Sequence, residues 1–95
     1  MKKAYYSKQH KRIKQLELPQ DLFLGSPILT MNGEGELLIE NHKGIISYDP
    51  QMIVVRSKKG TIRILGRGMI IEYFSAEDLK ISGCITQIGF SNGSE

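Results

Sequence analysis

The sequence predicts an all-β protein, a small antiparallel meander folded as a two-layer sandwich or roll, with a basic arm in front of it. Three observations predict this. β-Branched and aliphatic runs recur from Ile28 to Phe90 between Gly, Asn and Pro turn signals. The turns come every seven to ten residues, which leaves strands of five to seven residues and no space for crossover helices, so neighbours pair antiparallel. The first fourteen residues carry Lys2, Lys3, Lys8, Lys11, Arg12 and Lys14 and no acid, a composition unlike the rest of the chain.

Residues 1–18 form the arm. Tyr5, Tyr6, Ile13 and Leu16 make a weak apolar stripe, so a helix here would depend on a partner or on the body, and a disordered arm is the other reading. Pro19 ends any helix, because the residue before a proline is pushed out of the helical region. Residues 19–27 read as a connector whose Leu22, Phe23 and Leu24 tuck against the body. Residues 28–91 are the β domain and residues 92–95 a tail.

Within the β domain each run has its own turn. Ile28–Met31 ends at Asn32-Gly33, and Glu36–Glu40 ends at Asn41-His42-Lys43-Gly44. Gly44–Tyr48 ends at Asp49-Pro50, and Met52–Ser57 at Lys58-Lys59-Gly60. Thr61–Leu65 meets Gly66-Arg67-Gly68, read as a hairpin, and Met69–Phe74 meets Ser75-Ala76-Glu77-Asp78. Gly and Asn supply positive φ at such turns, and Pro pre-sets φ. Ile62 and Ile64 share one face, as do Leu79 and Ile81. Met52–Val55 and Met69–Ile71 are continuous apolar runs, which reads as strands covered on both faces. Ile88 and Phe90 fall out of step with Leu79, Ile81 and Ile85, and a bulge or bend near Gly83 would absorb that slip.

The 95 residues make one domain with a thin core. Cys84 is the only cysteine, which excludes an intrachain disulfide and fits a reducing compartment. No apolar stretch follows the basic start and no run reaches the ~20 residues of a membrane span, so a soluble, intracellular protein is expected. The net charge of +3 divides into +6 on the arm and −3 on the rest, seven cations against ten acids.

The segments Leu16-Glu17-Leu18-Pro19, Pro27-Ile28-Leu29-Thr30 and Ile39-Glu40-Asn41-His42-Lys43-Gly44 together resemble the YabP/YqfC family of sporulation proteins. Gly60–Gly66 and Leu79–Gly83 fit the same layout, so the resemblance covers residues 16–90. It implies a role in endospore formation in the mother-cell cytoplasm, near a membrane protein that acts in the same process. No catalytic residue comes with it.

Candidate chemistry is sparse. Asn41, His42 and Lys43 could form a recognition turn at a hairpin tip, but the same residue types serve turn geometry alone, and that reading is the stronger. His42 and the distant His10, with one cysteine, do not make a zinc set, so no metal is expected. Cys84 lies in a strand-like run with no base in sequence, and a packed thiol is the commoner fate, so no catalysis and no cofactor are expected. The arm, above all Lys8, Lys11, Arg12 and Lys14, has three readings: contact with an anionic membrane surface or membrane protein, a solvated tail, or nucleic-acid binding. Exposed strand edges would allow a homo-oligomer. The expected function is therefore non-enzymatic binding, with a nucleic-acid-binding β protein as the alternative.

Overall fold

The computed structural model describes residues 25–92. They form six strands: β1 (Ile28–Asn32), β2 (Glu36–Glu40), β3 (Ile45–Asp49), β4 (Met52–Arg56), β5 (Gly60–Phe74) and β6 (Asp78–Asn92). All pair antiparallel in one sheet of order β1-β2-β6-β5-β4-β3. The all-β expectation is borne out. Among the described residues there is no helix.

Two strands are much longer than the turn spacing predicts. β5 and β6 each run 15 residues. Gly66-Arg67-Gly68 is therefore not a hairpin. It lies inside β5, where the register with β6 shifts between Leu65 and Gly66 and again between Arg67 and Ile70. Glycines signal a bulge as readily as a turn, because both need a backbone that a side chain would block. Gly68 has φ +58. On β6 a bend falls at Gly83, φ +137, as expected there, but the parity slip is absorbed three residues on, where Thr86 is the extra residue between the pairs Gly66–Ile85 and Leu65–Gln87. A Cβ at Gly83 would sit 2.7 Å from the Met69 Cα and 2.8 Å from the Gly68 carbonyl oxygen, so only glycine lets the two strands approach this closely.

The bend divides the sheet into two halves. Glu36–Glu40 pairs with Asp78–Ser82, and this part of β6 pairs with Ile70–Phe74 of β5. Met52–Arg56 pairs with Thr61–Leu65, which pairs with Gln87–Ser91 of β6. Bending brings the inner faces together over one core: Leu37, Ile39, Ile53, Val55, Ile62, Ile64, Met69, Leu79, Ile81 and Ile85, none more than 6% exposed. Cross-strand rows Leu37–Ile81 and Ile39–Leu79 come from one half, and Val55–Ile62 and Ile53–Ile64 from the other.

Only one face of each half is covered. In β4, Ile53 and Val55 are buried while Met52 is exposed and Val54 half-buried. In β5, Met69 is buried and Ile70 exposed. The apolar runs that read as doubly covered strands follow ordinary period-2 alternation, with aliphatic side chains on the outer face as well.

The hairpin turns stitch the bend. Gly66 N–H donates to Gln51 O at 3.1 Å and Met69 N–H to Pro50 O at 3.0 Å, both from the β3–β4 turn. Gly83 N–H donates to Gly35 O and Ile85 N–H to Glu34 O, each at 3.0 Å, from the β1–β2 turn. A bulge leaves ladder groups without partners, and these four bonds supply them.

Candidate binding surface

Asn41–Gly44 is not a hairpin tip. It joins β2 to β3, which lie in opposite halves and do not pair. The local chemistry suits a crossover. Asn41 holds φ +69, a left-handed conformation that asparagine tolerates better than most residues, and Gly44 holds φ +123. Asn41 Nδ2 donates to Ser26 O at 3.1 Å, which fixes the chain just before β1.

His42 is 3% exposed. Its Nδ1 accepts from Gly44 N–H at 2.9 Å, and its Nε2 lies 2.9 Å from Ser75 O, which can only accept. One nitrogen accepting and the other donating is the pattern of a neutral imidazole with the proton on Nε2. The ring stacks on Phe74 with centroids 5.1 Å apart. Asn41 N–H and His42 N–H both donate to Glu77 O. Lys43 N–H donates to Arg56 O, and Arg56 N–H to Gly44 O, each at 2.8 Å. The segment thus straps the end of β4 to the β5–β6 turn. Ser75 organises that turn, its Oγ accepting from Asp78 N–H at 3.0 Å. Of the three residues expected at a recognition turn, His42 faces inward, Asn41 is half-buried, and Lys43 alone is exposed. Lys8, Lys11, Arg12 and Lys14 lie outside the described residues.

Cys84 is half-buried at the bend, where Arg67 Nη2 donates to its Sγ at 3.3 Å. Among the described residues no three His, Cys, Asp or Glu side chains converge as a metal set, and no helix is long and apolar enough to cross a membrane.

Charge is sorted by position. Between Asp49 and Glu72 the chain carries Arg56, Lys58, Lys59, Arg63 and Arg67 and no acid. Glu34, Glu36, Glu40, Glu72, Glu77 and Asp78 belong to the other half and its turns, where Lys80 pairs with Glu36 at 3.6 Å. Arg56, Lys58, Lys59 and Arg63 are all exposed and line one shallow hollow, in which no carboxylate of the described residues lies. A second hollow shares the Lys58-Lys59 turn and adds Pro27 and Phe90. Phe90 is 70% exposed, the most of any large apolar side chain among the described residues. It pairs with Ile62, so it extends the inner face past the covered core at the open end. The signal for this region is present in the sequence, a 22-residue stretch of cations without an acid, but the expected body charge of −3 averages it away.

The profile of the YabP family matches residues 25–95. The chain belongs to the YabP family. The match takes in all six strands and the Asn41–Gly44 strap. The chain is also 28% identical over 75 residues to "Uncharacterized protein YqfC" of Bacillus subtilis (strain 168), covering 79% of this chain and 81% of that one. No solved structure matches.

Proposed function

We propose that this YabP-family chain is a non-enzymatic protein of endospore formation that acts in the mother-cell cytoplasm by binding a sporulation membrane protein or the membrane surface beside it. One observation supports the binding mode: the described chain begins, at Gly25, beside the cationic hollow at Arg56–Arg63. A Cβ on Gly25, the first described residue after the arm, would touch the Lys58 side chain at 3.8 Å. Ser26 and Pro27 line the hollow next to it. The arm carries six cations and the β4–β5 hairpin four, and both would be attracted to the same anionic surface. The Asn41–Gly44 strap holds the halves in register and brings Lys43 to the surface.

The test is flotation of the full-length chain with vesicles of phosphatidylcholine alone or with 30% phosphatidylglycerol (roughly the anionic load over which basic segments bind). The comparison is a full-length variant with glutamine at Lys2, Lys3, Lys8, Lys11, Arg12 and Lys14. The native arm should carry the chain up with the anionic vesicles, and the neutral arm should weaken this by well over tenfold. Equal, negligible flotation by both removes the membrane part of the reading. The alternative, nucleic-acid binding through the arm, predicts instead a DNA or RNA mobility shift that falls steeply with salt.

A further inference from the structure

We infer that the Lys58-Lys59 turn and Phe90 form a lipid-contact tip, which docks on an anionic phospholipid bilayer with the Phe90 ring entering the headgroup boundary. This rests on the membrane form of the proposed function and assigns to the folded body a contact of its own, separate from the arm.

Phe90 pairs with Ile62 across the β5–β6 ladder. Ile62 is fully buried, whereas Phe90 stands 70% exposed, so the covered face ends between them. An exposed aromatic ring in isolation is ordinary. Its setting is not. Phe90 shares a hollow with Lys58, Lys59 and Pro27, and the same turn shares the adjoining hollow with Arg56 and Arg63. Arg56 and Arg63 lie on the outer face, opposite in parity to Val55 and Ile62, while Phe90 lies on the inner side. Lys58 and Lys59 thus stand beside a protruding apolar side chain, with Arg56 and Arg63 on the other face of the same end, and among the described residues no carboxylate lines either hollow. A bilayer surface offers this complement: a layer of anionic phosphates over an apolar interior, so that the ring enters while lysine and arginine stay at headgroup level. A nucleic acid would match the cations but fits a single aromatic poorly, since single strands are held by successive stacked bases. Met31, Ile70 and Phe74 are exposed too, but they lie on the half of the sheet that carries the acids, where an anionic surface is repelled.

The chain has no tryptophan, which makes Phe90→Trp a single-site reporter in the full-length protein. Its emission is expected at the wavelength of a water-exposed indole in buffer. It should shift to the blue with phosphatidylglycerol vesicles, be quenched by brominated acyl chains, and stay unmoved with phosphatidylcholine. Lys59→Gln with Arg63→Gln should weaken binding about fivefold for each cation removed. Phe90→Ser should weaken it roughly tenfold at unchanged urea midpoint, since the ring is exposed in the free protein. A blue-shifted indole without vesicles would overturn the inference, because the ring would then be covered by the chain's own residues 20–24 or by a second copy. An indole that stays water-exposed while the protein floats would also overturn it, and would leave the arm-based proposal standing. Protein that ignores vesicles but retards a DNA duplex in a Lys59- and Arg63-dependent way would overturn both.

Discussion

Single side chains in this fold are set by bonds that reach far along the chain. His42 spans 33 positions to Ser75, and both its nitrogens are used. His42→Ala leaves the Gly44 N–H and the Ser75 carbonyl without partners and removes the ring from Phe74, a loss of about 2–4 kcal/mol. Urea unfolding should show the midpoint falling with the slope unchanged. Asn41 separates two effects. Asn41→Gly keeps the left-handed backbone and loses only the bond to Ser26, whereas Asn41→Ala loses the bond and strains the backbone, so alanine should cost about 1 kcal/mol more than glycine. The turn chemistry of these residues was readable from the sequence. Their partners were not, because the identity of Ser75, Glu77 and Ser26 as acceptors depends on the crossing of two distant loops. Phe90 escaped for the opposite reason. An apolar residue in an apolar run reads as core, and its exposure follows only from where the opposing half of the sheet ends.

At the scale of elements, the sequence marked every strand and located one of the two bends. Gly83 stood out as a lone glycine within an apolar run, while the parity slip itself lies between Ile85 and Ile88, where Thr86 is the extra residue. Gly66-Arg67-Gly68 was misread because a glycine pair specifies a permissive backbone without specifying whether the chain turns back. The bend should be intolerant of any Cβ. Gly83→Ala forces the side chain into the Met69 and Gly68 backbone at an unfavourable φ, and a loss of about 2–5 kcal/mol is expected by thermal or urea denaturation. Gly89→Ala is the control, since nothing lies within 4 Å of the added methyl and its φ is not in the left-handed region. Hydrogen exchange should follow the sheet order. Amides of β2, β4 and the paired middle of β5 and β6 should exchange slowest, and those of the outer strands β1 and β3 first, because each of the latter has a neighbour on one side only. Equal protection of β3 and β4 would mean that the β3 edge is covered in solution.

Over the whole molecule, the strand order β1-β2-β6-β5-β4-β3 makes β5 and β6 members of both halves. Unfolding should therefore be one transition, with the calorimetric enthalpy equal to the van't Hoff value. A second transition would show that the halves open separately. Charge works at this scale too. The exposed cations of the β4–β5 hairpin cluster on one half, and the arm adds six more along the chain, so association with anionic vesicles should fall sharply between 50 and 300 mM salt (roughly the range over which the screening length drops below 10 Å).

The long strands have one more consequence. A cut within the Lys58–Gly60 turn would leave β1 to β4 in one fragment and β5 with β6 in the other. Each fragment would hold greasy surface that the missing piece normally conceals, and β2 would be parted from β6 as β4 is from β5. Neither should persist alone. Mixed, they should recombine, which makes this small scaffold a natural split reporter for whether two tethered proteins have met.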